Sequence, residues 1–155
     1  MKSLHDVESA VADGLQKYLG CPVIRSNTSS KVPPYPYVSF TITSIAQSAG
    51  SSWCMDEDGR QYKDLPQAWS ITVQSDDPVK VQQIALDAVE WFSTEEGHTY
   101  LQKNEISVQS VGNITNRDNL LSIEYEYREG FDVTLLLRHY TKDSVYDIDG
   151  TIETI

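Results

Sequence analysis

The sequence predicts an α+β fold, a mixed, mostly antiparallel β-sheet with two main helices packed on one face, and three observations predict it. The first is the alternation over residues 123–138. Ile123, Tyr125, Tyr127, Phe131, Val133, Leu135 and Leu137 take odd positions, while Glu124, Glu126, Arg128, Asp132, Thr134 and Arg138 take even ones. Period two marks a strand with one buried and one wet face. The second is a pair of further alternating runs, 37–43 and 69–74. The third is a pair of apolar stripes at spacings of three and four, which are helical. A strand as long as the first needs partners on both edges and a layer over its apolar side.

Taken in order, Leu4, Val7, Val11, Leu15 and Tyr18, joined by Leu19, form the first helical stripe. Ser3 suits its N-cap, Asp6 its first turn, and Gly20 with Pro22 its end. Residues 23–27 fit a short strand. Pro33, Pro34 and Pro36 then bar a helix, and Val38, Phe40 and Ile42 point inward from the next strand. Residues 46–66 show no sustained period and read as a long loop or hairpin arm, in which Trp53, Met55 and Tyr62 are oddly apolar for solvent.

Trp69, Ile71 and Val73 face inward from the following strand. Asp77-Pro78 opens a helix whose buried face is Val81, Ile84, Ala85, Ala88, Val89 and Phe92. Thr94 caps a shorter helix running to about Lys103. Ile106 and Val108 begin a strand that pairs with the 123–138 stretch across a turn at 116–119. Gly130 is expected to flex the long strand. Residues 141–155 read as a C-terminal tail or edge strand. The whole, residues 1–155, reads as a single domain.

The 12 basic and 23 acidic residues give a formal charge of −11, and no basic cluster occurs along the chain. That disfavours a role resting on phosphate contacts, although an acidic surface suits a conduit to which DNA must not stick. The two cysteines, Cys21 and Cys54, lack a metal-binding or redox spacing and read as thiols. The N-terminus lacks the apolar run of a signal peptide, so a soluble chain made in the cytoplasm is expected.

The three histidines lie at no metal-ligand spacing, and His5 and His98 read as solvent-facing. Asp147 to Ile152 imitates the middle of a calcium loop, but alignment on Gly150 puts Val145 at the first ligand position. There is no nucleophile elbow, phosphate loop or dinucleotide fingerprint. No catalytic residue, metal ligand or cofactor is assigned, and an enzyme is the last of the readings.

The segments Tyr35-Pro36-Tyr37-Val38-Ser39-Phe40, Trp69 to Gln74, and Arg128-Glu129-Gly130-Phe131-Asp132-Val133, in that order, resemble the phage neck or tail-terminator family. The resemblance covers roughly residues 3 to 140. It implies a tail-terminator-like structural virion protein, synthesised in the host cytoplasm and free of cofactor and catalysis. Such proteins form homo-oligomeric rings, often hexamers, that cap the tail tube protein and join it to the head-connector protein. DNA passes through the lumen without specific binding. On this reading Trp53, Met55 and Tyr62 contact a neighbour or the tube, while Arg128 and Asp132 form ion pairs between subunits or within the sheet. The alternative is a small peptide- or ligand-binding module using an exposed sheet edge.

Overall fold

A pair of long antiparallel strands forms the spine of the molecule. The structure is a computed structural model that describes residues 3–26, 31–47, 53–118, 126–146 and 152–154. Its elements are α1 (Leu4–Leu19), β1 (Val23–Arg25), β2 (Tyr37–Ser44), β3 (Cys54–Met55), β4 (Arg60–Ser75), α2 (Pro78–Ser93), α3 (Glu95–Lys103), β5 (Ile106–Val111), β6 (Thr115–Asn116), β7 (Tyr127–Tyr146) and β8 (Ile152–Thr154). The sheet order is β1-β2-β4-β7-β5, with β3 on β4 and with β6 and β8 on β7. Among the described strand pairs, only β1–β2 is parallel.

The helix ends follow from local chemistry. Ser3 and Asp6 cap α1 reciprocally, side chain to backbone, and Gly20 closes it with a φ of 73°, a left-handed conformation that costs glycine little. Asp77 accepts from the backbone N–H groups of Val79 and Lys80, with Pro78 in the first turn of α2. Thr94 accepts from Gly97 and so starts α3. α2 packs on β4, β5 and β7, flanked by α1 and α3. The core between the layers holds Val11 and Leu15 of α1, Val81, Ala85, Ala88 and Phe92 of α2, and Trp69, Ile71, Phe131, Val133 and Leu135 of the spine. The odd positions of β7 from Phe131 to Leu137 are thus buried, as alternation requires. Ile123 and Tyr125 lie outside the described residues.

Four expectations are corrected. Leu4 is 60% exposed, standing at the mouth of a groove instead of in the core. β4 begins at Arg60, so the second half of the 46–66 stretch is not loop but the outer end of a 16-residue strand. Pro66 lies within that strand. Its carbonyl accepts from the Gln47 N–H, and within a strand a residue's N and C=O share one edge. The missing donor therefore faces away from β7, where the ladder does not need it.

The 116–119 turn is displaced, because Asn116 pairs with Glu129 and the Arg117 N–H donates to the Arg128 carbonyl at 2.9 Å. The ladder thus continues through Arg117. Finally, Gly130 is no hinge. The β4–β7 register runs unbroken past it, and a side chain there would meet the Ile71 carbonyl at 2.6 Å and Arg117 Cδ at 2.7 Å.

The tail belongs to the sheet. β7 extends to Tyr146, and β8 pairs antiparallel with residues 144–146. Asp147, Asp149 and Gly150, the imitation of a calcium loop, lie outside the described residues.

Candidate interaction surfaces

β4 and β7 outrun the helices that cover them, which creates two different surfaces. At the outer end, β3 folds back on β4 through a turn at Asp56–Gly59, so residues 53–65 form an arm with the end of β7. Asp56 Oδ1 shapes that turn by accepting from the N–H groups of Asp58 and Arg60, at 3.0 and 2.8 Å, and Gly59 has a φ of 78°.

The arm carries side chains on both faces. On one, Tyr62 opposes Tyr140 with ring centroids 5.8 Å apart, and the Arg138 guanidinium lies 4.1 Å over the Tyr62 ring. Arg138 also pairs with Asp64 at 3.3 Å. On the other, Trp53 leans on His139 at 6.0 Å, with the Lys63 ammonium 5.7 Å from its ring. These ring and cation contacts hold the arm together without hiding it: Trp53 is 46% and Met55 54% exposed. His139 in turn lines an apolar groove of about 320 Å³ with Leu4, Ile45, Leu65 and Leu137. Exposed Leu4, Ile45, Trp53 and Met55 thereby fall along one strip.

The second surface lies on the open face of the sheet, at the inner end of the spine. Here the fold brings arginines together on the sheet. Arg117 beside β6 and Arg128 from β7 line a concavity of about 470 Å³ with Tyr37, Ser39 and Gln74. Arg25 of β1 borders it, but its register with Phe40 and its ion pair with Glu8 of α1 turn its guanidinium to the helix side of the sheet edge.

Arg117 lies across Gly130. It donates to Ser70 Oγ at 2.8 Å and Thr72 Oγ1 at 3.0 Å, and pairs with Asp132 at 3.2 Å. Arg128 Nε donates to Glu126 Oε2 at 2.7 Å, and Arg25 meets Glu8 at 3.4 Å. Arg128 and Asp132, predicted to ion-pair, thus each have a partner within the chain, though not each other. Glu126 also accepts from the Tyr35 hydroxyl at 2.9 Å. Burial, and then the Glu126 carboxylate, raise the Tyr37 phenol above its ordinary pKa.

Gln74, 7% exposed, forms part of the concavity's floor. Its amide donates to Ser39 Oγ at 2.7 Å, and its Oε1 has no partner among the described residues. Sequence reading missed Arg117 and Gln74. The one local signal was a glycine at an even position of an otherwise regular strand, which marks a close approach from the wet face.

Other chemistry is sparse. Among the described residues, no group of three or more His, Cys, Asp or Glu is placed to hold a metal ion. No described helix is long and apolar enough to cross a membrane. His98 is exposed, as expected, although its Nε2 lies 2.6 Å from the Phe92 carbonyl. Cys21 is buried, Cys54 exposed, and neither forms a disulfide.

Comparison with known proteins gives one decisive match. The sequence model of a family described as phage neck terminator protein matches residues 9–155, nearly the whole chain. No curated protein matches. Among solved structures, one known only by a sequence number is 14% identical, with 90% of this chain and 99% of that one covered and a TM-score of 0.50. At that identity the likeness concerns the fold alone.

Proposed function

The chain belongs to the phage neck terminator family, and from that premise we propose that it acts as a ring of identical subunits that caps the tail tube and joins it to the head connector. Membership makes it a structural component of the phage neck, a virion protein that meets other head and tail proteins. The ring and the tube are the further step.

One observation carries that step, the strip of exposed apolar side chains from Leu4 and Ile45 to Trp53 and Met55 along the uncovered arm. A contiguous apolar patch at the end of a projecting ladder is the usual mark of a protein interface. In this reading Trp53, Met55 and Tyr62 meet a neighbouring subunit or the tail tube, and the open face bearing Arg128 and Asp132 takes part in the contact between subunits. A closed ring is built from heterologous contacts, one patch meeting a different patch on the next copy, and the arm and the open face are two such patches. A net charge of −11 suits a lumen through which DNA slides without adhering.

The test is mass by light scattering after size exclusion, from dilute to concentrated protein, with and without purified tail tubes. A closed species of several subunits, alone or on the tube, is expected. A strict monomer that ignores the tube at every concentration would overturn the ring and direct attention to peptide binding at the sheet edge.

A further inference from the structure

The arginine concavity and the tip of the arm are complementary and cannot meet within one molecule. The tip presents Glu57 and Asp58, both exposed, while the Asp56 carboxylate is occupied in shaping the turn. The concavity has two arginines, Arg117 and Arg128, and no carboxylate among its described lining residues, in a chain with almost twice as many acids as bases. Arg60 next to the tip and Gln74 in the concavity stand at opposite ends of β4. At ~3.3 Å per residue they are roughly 45 Å apart. A tip can therefore reach only the concavity of another copy.

We infer that the acidic tip of one subunit, Glu57-Asp58, seats in the Arg117–Arg128 concavity of the next. Glu126 holds Arg128 through Nε and Nη2, while Asp132, Ser70 and Thr72 hold Arg117 through Nη2 and Nη1, which leaves Arg128 Nη1 among the described contacts for an incoming anion. Gln74 adds a polar floor to the seat. Its buried Oε1 lacks a donor among the described residues; the N–H groups of Asp58, Gly59 and Arg60 are taken within the turn, which leaves that of Glu57 to supply one. Repeated head to tail, the contact is heterologous and generates a ring where the rotation closes.

This contact rests on the ring reading, and charge reversal separates the two. Glu57→Lys with Asp58→Lys alters only exposed positions and should leave the fold intact, yet weaken self-association about a hundredfold. Arg128→Glu should do the same. Mixing the two variants should restore assembly, because each reversed tip then faces a reversed concavity and each native tip a native one. Masses are read by light scattering, on tail tubes where the parent protein assembles only there. Should the tip variant assemble like the parent, the contact is wrong and the ring stands. Should the parent itself never assemble, with tubes or without, both fail. Mutual rescue, which also shows that the concavity variant folds, is the result that supports the contact.

Discussion

Trp69 sits in the middle of β4, and Trp53 flanks β3 at the outer end of the same ladder. The first is 1% exposed and the second 46%. Both lie on the sheet face that the helices share, and both make aromatic contacts, Trp69 with Phe40 at 4.7 Å and Trp53 with His139 at 6.0 Å. What separates them is the helical layer, which covers the inner part of the spine and stops before the arm. Strand pairing with ring and cation contacts thus holds an arm in place, but a covering layer is needed to bury its side chains. The uncovered end is free to be buried by another molecule.

The sharpest way to break this comparison is to truncate both tryptophans. Trp69→Ala should cost about 4 kcal/mol, since it empties a large part of the core. It also removes the indole N–H that donates to Gln67 Oε1 at 2.7 Å, itself deep in the core. Urea unfolding measures the loss. Next comes Gly130→Ala, expected to cost about 2 kcal/mol, because the new methyl group would drive against the Ile71 carbonyl and Arg117. If it melts like the parent, the close packing of Arg117 over the strand is wrong. Asp77→Ala should cost about 1 kcal/mol by leaving the first N–H groups of α2 uncapped. This marks the contribution of local chemistry to the covered region.

A smaller effect is expected from pH. Burial raises the phenol pKa of Tyr100, whose hydroxyl donates to the Ala10 carbonyl at 2.7 Å, and of Tyr37 above the ordinary 10.0. The folded state therefore keeps protons that the unfolded chain has already lost. This contribution is complete below the unfolded pKa and is lost as pH rises through the folded one. Denaturant midpoints should fall between about pH 9 and about pH 11, and substituting Phe at both tyrosines should flatten the fall. Smallest of all, Trp53→Ala should change monomer stability by no more than about 0.5 kcal/mol, although it should weaken assembly. A loss as large as that at Trp69 would mean that the arm is part of the core.

Much of the fold was legible in sequence because its signals are local. Ser3, Asp77 and Thr94 cap the helices that the apolar stripes trace, and the alternation in 127–138 sets which face of β7 is buried. The outer half of β4 was hidden for an equally local reason: residues 60–65 are uncovered on both faces, so no alternation marks them as a strand. Of the candidate surfaces, Trp53, Met55, Tyr62, Arg128 and Asp132 could be named from their residue types. Arg117 and Gln74 could not, since nothing near them in sequence says that they share a concavity.

By itself, then, the sequence determined the elements, their caps and their inward faces, because period and capping act over a few residues. Only the tertiary structure decided how far the helices reach along the spine, and hence that the arm is uncovered. It also decided that Arg117 and Arg128 converge beside Gln74, whose Oε1 has no partner among the described residues, because strand order and register are set by contacts across the whole chain.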